Sequence, residues 1–168
     1  SNPKIKKINL VFNQIDIIEL KKISATFKPS NLTSFINNKI KQGKFNTEIE
    51  IYLDNDNLLD NFIAKGSVTN FKTEVVNNMD LEKTSFSFFA DKTDVLIKKI
   101  SGEAGPINLE EGDLKLKLSP EIEIESNFKT TIRYNKKLKK YSNLIKDLDF
   151  AKDITNLEAD LNNSFSIN

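Results

Sequence analysis

The 168-residue chain contains no cysteine and no histidine. Without cysteine there is no disulfide framework and no thiolate nucleophile, and without histidine the commonest general base is missing. The usual zinc ligands are absent for the same reason. Carboxylate pairs remain as a possible catalytic device, but most enzyme classes and zinc sites are excluded, so we predict a protein that is not an enzyme and needs no cofactor.

Net charge is also nearly absent, because 25 Lys and Arg residues oppose 24 Asp and Glu residues to give +1. A chain this close to neutrality has no overall field to attract nucleic acid, an anionic membrane or an acidic substrate. We therefore expect no nucleic-acid partner.

Long hydrophobic runs are missing too. No stretch approaches the roughly 20 apolar residues of a membrane-spanning helix, and no signal peptide precedes the first strand-like segment. The chain begins at Ser1 without a methionine and ends in a strand-like run, 164–168. We therefore expect a piece of a longer protein, with any anchor or targeting signal outside it.

Residues 8–13 alternate as in a β-strand, with Ile8, Leu10 and Phe12 on one side. The apolar stretch 15–23 that follows has neither the period of a strand nor that of a helix. Pro29 changes the pattern. Apolar residues then recur at helical spacing, and Gly43 stands where a helix would stop, which predicts one short amphipathic helix at about 31–42.

After Gly43 the apolar period drops to two, which is typical of half-buried strands. The predicted strands lie at about 45–53, 62–75, 84–90, 94–101, 106–109, 113–118 and 121–135. Turn residues separate them, among them 54–57, 77–78, 91–92, Gly102, 105–106 and Gly112. Short strands without intervening helices predict a mainly β fold, an antiparallel meander.

The clearest alternation runs from Leu114 to Tyr134, where even positions are mostly apolar and odd positions mostly charged. The segment 119–121 is either a three-residue hairpin loop or part of a bent continuous strand. Residues 136–150 suggest a loop and a short helix, and a last strand starts at about 157. We predict a single segment, 1–168, whose main sheet spans about 45–135.

Few residues suggest a catalytic or metal-binding site. Glu121, Glu123 and Glu125 would project from one strand face about 7 Å apart, near the spacing of inverting glycosidase acids, but a solvated strand face explains them better. Asp54 and its neighbours lack the glycine and the closing glutamate of a calcium loop, so a turn is expected. The lysines at 136–140 and the strand phenylalanines are better explained by solvation and by core packing, respectively.

The apolar strand faces need a cover. With so few helices, they must pack on a second sheet, close into a barrel or line a groove that something apolar fills. Only the third arrangement gives the apolar face a ligand.

Four stretches carry a family resemblance: 40–43 at the end of the predicted helix, 64–71, 85–88, and 100–102 through 109–114. Over about 30–135 the chain resembles the AsmA-like family, the TamB- and YhdP-type bridge-like lipid transport proteins of bacteria. The resemblance implies a sheet curled into a taco-like groove that conducts phospholipid and supports outer-membrane assembly. It also implies a periplasmic location in a Gram-negative cell, with the parent protein anchored in the inner membrane.

The resemblance further implies roles for individual residues. Glycines 66, 102 and 112 match the family's turn and bulge positions. Phospholipid acyl chains would contact the alternating apolar residues Phe86, Phe88, Leu114, Leu116, Leu118, Ile122, Ile124 and Phe128. The competing hypothesis is a structural or adhesive β-repeat with a closed core and no ligand.

Overall fold

The computed structural model describes residues 5–24, 37–56, 58–76, 79–118, 123–135 and 156–167. Strands account for 82% of them. The elements are β1 (Lys7–Asp16), α1 (Ile17–Ser24), β2 (Ile40–Leu53), β3 (Leu59–Val76), β4 (Met79–Ala90), β5 (Asp94–Ala104), β6 (Ile107–Lys117), β7 (Glu123–Asn135) and β8 (Asn156–Ile167). Each strand pairs antiparallel with its chain neighbours in the order β1 to β8, which forms one open sheet. The predicted mainly β antiparallel meander is confirmed.

Strand register assigns side chains to the two faces of this sheet, because residues directly opposite each other in antiparallel strands share a face. One series runs from Ile51 through Phe62 on β3, and another from Val95 through Leu116 to Ile124 on β7. We call this side the apolar face. The opposite side, the charged face, holds pairs such as Lys117 and Glu123.

A β-bulge interrupts each of the strands β1 to β6 and shifts the phase of the apolar alternation. Four of the bulges hold a residue with left-handed φ: Gln14 at 53°, Asn70 at 50°, Lys83 at 51° and Lys99 at 56°. The β6 bulge lies between Leu109 and Glu111. An inserted residue moves the apolar face from odd to even positions, or the reverse, without turning the strand over. It also bends the strand.

Burial on the apolar face is greatest near the bulges. Val68 is 1% exposed, Thr84 1% and Ile100 8%, although no second sheet lies above them in the described ranges. Side chains standing on a flat single sheet would remain open from above. The cover of these residues is local: Val68 belongs to one buried cluster with Ile17 of α1, and Thr84 lies against Gly102 of the neighbouring strand.

Helix α1 covers one end of the apolar face, where it contacts β1 and β2. Ile17 joins Ile40, Val68 and Phe71 in a small buried core, with Leu20, Phe45, Phe86 and Phe88 packed around it. The Phe71 and Phe86 rings meet edge to face with centroids 5.4 Å apart, a favoured aromatic geometry. This core holds the helix on the sheet.

Three predicted turns are confirmed. The Asp54 carboxylate accepts the backbone N–H groups of Asp56 and Leu58, and the Asp91 carboxylate accepts those of Thr93 and Asp94. Gly105 has φ 60° at the β5–β6 turn, a conformation that favours glycine. Each of these turns reverses the chain between neighbouring strands.

Other boundary predictions were wrong. Residues 31–36 of the predicted helix lie outside the described residues and 37–38 are helical, but Ile40 to Gly43 belong to β2, where Ile40 is buried opposite Thr73. Strand pairing here overrides the helical spacing. The predicted strands 106–109 and 113–118 form one strand, β6, because a bulge and not a turn separates them.

The chain reverses between β6 and β7, which pair antiparallel with Lys117 opposite Glu123. The bent continuous strand is therefore excluded, and the loop residues 119–121 lie outside the described residues. So does the predicted loop and helix at 136–150. The strand predicted from about 157 is β8, and it belongs to the same sheet.

Candidate functional site

The apolar face brings together six of the eight residues proposed to contact acyl chains. Phe88 lies opposite Ile97, which lies opposite Leu114. Leu116 lies opposite Ile124, and Phe128 lies opposite Gly112. The six residues are Phe86, Phe88, Leu114, Leu116, Ile124 and Phe128.

The other two predicted residues have different outcomes. Leu118 follows the end of β6 and is 42% exposed, so it lies at the margin of the face. Ile122 lies outside the described residues.

Most large side chains of this face are only half-buried. Ile49, Phe88, Leu114, Leu116 and Ile124 all fall between the buried and the exposed residues. In a sealed core, central-strand residues of this size are usually fully buried. Within the described ranges, neighbours in the same sheet therefore supply part of their cover and leave the rest open.

Sequence reasoning missed that the face extends across all eight strands. On the N-terminal side it includes Ile8, Leu10, Ile49, Ile51, Phe62 and Ile97, and on the last strand Leu161 and Ile167. The alternation of Ile49, Ile51 and Leu53 was visible in the sequence. The alignment of these β2 residues with Leu114 and Ile124 was not visible, because it depends on the register of five strand pairings.

Gly66, Gly102 and Gly112 were expected at turns or bulges; none of them lies in a turn, and Gly112 directly follows the β6 bulge. All three lie inside strands, β3, β5 and β6, and none has a left-handed φ. Close approach explains all three, and a Cβ on Gly102 would overlap the side chain of Thr84 on the neighbouring strand. A Cβ on Gly66 would lie 2.0 Å from the backbone oxygen of Asn46, and one on Gly112 would lie 2.5 Å from the Phe128 ring.

A few polar side chains interrupt the apolar face on β7 and β8. Asn163 Nδ2 donates to Thr130 Oγ1 at 3.0 Å. Ser126 lies opposite Leu114 and is 3% exposed, and its Oγ has no hydrogen-bond partner. These polar side chains are short, so they leave a shallow depression in the apolar face beside Phe128. The rest of the face remains apolar.

Ion pairs connect neighbouring strands on the charged face. Every one of the seven adjacent strand pairs has at least one cation–carboxylate contact; examples are Lys7–Glu50 at 2.9 Å, Lys65–Glu48 at 3.1 Å, Lys72–Asp80 at 3.2 Å, Lys83–Glu103 at 2.9 Å, Lys98–Asp113 at 3.2 Å, Lys117–Glu123 at 2.7 Å and Arg133–Glu158 at 2.9 Å. Such exposed pairs contribute little individually, but they define which surface faces water.

Two carboxylates on this face have pKa values that are lowered by nearby hydrogen-bond donors. The pKa of Glu50 is lowered chiefly because its carboxylate accepts a hydrogen bond from the Tyr52 hydroxyl. A second hydrogen bond, from Lys7, lowers it further. The pKa of Asp113 is lowered chiefly because it accepts the backbone N–H of Lys99, at the β5 bulge. Both carboxylates stabilise strand geometry.

Two of the three candidate catalytic carboxylates lie two residues apart on the charged face, each opposite a lysine of β6. Glu123 pairs with Lys117 at 2.7 Å, Glu125 is exposed opposite Lys115, and Glu121 lies outside the described residues. Asp54 caps a turn, as described above. Within the described ranges, no group of three or more carboxylates is arranged to hold a metal ion.

No protein-family model, curated protein or solved structure matches this chain. Among the described residues, no helix has the length and apolar character required to cross a membrane.

Proposed function

We propose that the chain is a non-enzymatic segment of an AsmA-like lipid transport protein, and that its apolar face holds phospholipid acyl chains. The observation that carries the proposal is the continuous, half-exposed apolar face on a single open sheet whose other face is charged. Each CH₂ group that leaves water on this surface would contribute about 0.8 kcal/mol to binding.

The dimensions of the sheet suit an extended hydrocarbon chain. At roughly 3.3 Å per residue, the 11 residues of β6 extend about 36 Å. A bilayer's hydrocarbon core is about 30 Å thick and contains two acyl chains end to end, so one chain needs about half of that length. A chain lying along β6 would contact Leu114 and Leu116 without leaving the face.

Transport over such a surface needs no catalytic residue. Apolar contacts are non-directional, so an acyl chain can exchange one set of side chains for the next at little cost. The lipid headgroup would remain in water at the open margin. We place this activity in the periplasm, between the inner and outer membranes, because the family resemblance implies that location.

A photo-crosslinking amino acid at position 124 tests the proposal directly. Incubated with phospholipid vesicles, the Ile124 probe should give phospholipid adducts. The matched control is the same probe at Glu125, the next residue, which is exposed on the charged face and should give far fewer adducts.

A stability measurement completes the test. Ile124→Asp would place a carboxylate against acyl chains and should abolish adducts formed from a probe at Leu116, its cross-strand neighbour. On an open face it should destabilise the protein by less than the several kcal/mol expected for an unpaired charge in a sealed core. A collapse of the thermal midpoint, together with no adduct at position 124, would favour the closed structural or adhesive repeat.

A further inference from the structure

The apolar face changes from half-open to closed along the direction of the strands. On β3, Phe62 and Ala64 are half-buried, whereas Val68 is buried. The neighbouring β4 changes in the same way, from the half-buried Phe88 to the buried Thr84. Because β3 and β4 are antiparallel, their closed ends lie at the same margin of the sheet.

Helix α1 provides the cover at this closed end. Its Ile17 is buried in one cluster with Ile40, Val68 and Phe71, which we call the α1 cluster. Leu20, one turn later on the helix, packs against the same cluster. The helix therefore does for this end of the face what a bound acyl chain would do for the rest.

The chain around α1 fixes its position. Strand β1 ends at Asp16 and α1 begins at Ile17, with no linker between them. The Asp16 carboxylate accepts the Ile18 N–H at 3.0 Å and so caps the first turn. An isolated helix of eight residues is not stable in water, so α1 is held by its contacts with the sheet and forms a wall at this end of the face.

The open part of the face has the length of one acyl chain. From Phe62 to Val68 the strand advances six residues, about 20 Å at roughly 3.3 Å per residue. One acyl chain is about 15 Å long, half the thickness of a bilayer's hydrocarbon core. A chain lying along β3 would therefore fill the space between the β2–β3 turn and α1.

The two ends of this space suit the two ends of a lipid. The α1 cluster consists of apolar side chains, so a headgroup placed against it would lose its hydration without gaining hydrogen bonds. A terminal methyl group has no such cost. The β2–β3 turn at the other end carries Asp54 and Asp56, which are both exposed.

We propose that α1 is the end wall of the lipid site, so that an acyl chain lies along β3 with its terminal methyl group against the α1 cluster and its headgroup toward the β2–β3 turn. The inference rests on the proposed function and adds the orientation and the depth of the bound chain. It also assigns Phe86 and Phe88 to the methyl end, since both pack around the α1 cluster.

Photoreactive lipids test the orientation on the unmodified protein. One phosphatidylcholine carries a diazirine at the terminal methyl end of an acyl chain, another carries it next to the headgroup, and each is used in phosphatidylcholine vesicles. After irradiation, mass spectrometry maps the labelled residues. The methyl-end probe should label Leu20, Phe86 and Phe88, whereas the headgroup-end probe should label Ile51 and Phe62, which lie opposite each other near the β2–β3 turn.

Acyl-chain length tests the depth of the site. The ligands are lysophosphatidylcholines of increasing chain length, each below the concentration at which it forms micelles. Every CH₂ group that enters the site should tighten binding about fourfold, until the chain reaches the wall and the affinity levels off.

Leu20→Ala removes part of the wall, so the levelling should move to longer chains. The first chain that is too long for the unmodified protein should then bind about fourfold more tightly to the variant. Ile18→Ala is the matched control, because Ile18 lies on the same helix and is 63% exposed, and it should leave the length dependence unchanged.

Three results would overturn the end wall and leave lipid binding intact. They are equal labelling of both ends by the two probes, labelling beyond the α1 cluster at Thr73, and a length dependence that Leu20→Ala does not change while its circular dichroism stays native. If Leu20→Ala unfolds, the labelling of the unmodified protein decides alone. No label from either probe would refute the proposed function itself, and the end wall with it.

Discussion

Gly66 should tolerate no side chain, even though it lies in the middle of a strand. A Cβ built at this position would lie 2.0 Å from the backbone oxygen of Asn46 and 3.0 Å from the Cα of Thr47. Both atoms belong to the β2 backbone, so relief requires separation of β2 from β3. The Asn46 side chain also accepts the Gln14 N–H at 2.9 Å, and the same movement would strain that bond at the β1 bulge.

The expected cost of Gly66→Ala is about 2 to 3 kcal/mol. Overpacking typically costs about 1–3 kcal/mol, and loss of a hydrogen bond adds about 1 kcal/mol. Replacing glycine restricts the unfolded chain and returns about 0.4–1 kcal/mol. Urea denaturation followed by far-UV circular dichroism measures the free energy of unfolding.

Gly43→Ala is the matched control for this prediction. A Cβ at Gly43 in β2 would meet only the Phe45 ring within 3.4 Å, at 3.1 Å, and a ring can move. Its free energy of unfolding should stay within about 1 kcal/mol of the unmodified protein. If Gly66→Ala proved equally mild, the close approach of β2 and β3 would not be what requires glycine.

Three further changes test other parts of the sheet. Asp91→Ala removes the acceptor for Thr93 and Asp94 at the β4–β5 turn and should lower the free energy of unfolding by about 1 kcal/mol in the same assay. Glu125→Gln should alter neither stability nor lipid adducts, and a selective loss of adducts would instead indicate a carboxylate site. The pKa of Asp113 is lowered in the folded state, so its contribution is present above its unfolded pKa, about 3.9, and lost as pH falls through the folded value. Asp113→Asn should therefore weaken the acid dependence of stability, and an unchanged pH profile would contradict this.

The sequence predicted strand identity well where no bulge interrupts the alternation. In β7, Ile124, Phe128 and Ile132 lie on one face, as their even numbers predicted. Turns with a local chemical cause, such as those at Asp54 and Asp91, were also predictable. These features depend on contacts between residues near in sequence.

Bulges explain most of the strand boundaries that the sequence predicted wrongly. In β6 the apolar positions are Ile107 and Leu109 and then, after the bulge, Leu114 and Leu116. When the apolar residues change from odd to even positions, the sequence looks as if one strand ends and another begins. Gly112 made a turn at this point look more plausible still. The requirement for glycine comes from the Phe128 ring on the neighbouring strand, and only the register reveals it.

The nearest-neighbour order of the strands has a consequence for folding and for change in length. Every strand in the described ranges pairs only with the strands before and after it in the chain, so each pairing joins strands that are consecutive in the sequence. Such a topology should fold quickly for a β protein and lose its strands progressively from the ends. Whole hairpins could be inserted or deleted while the remaining strands keep their partners, so the width of the sheet can change in steps of two strands.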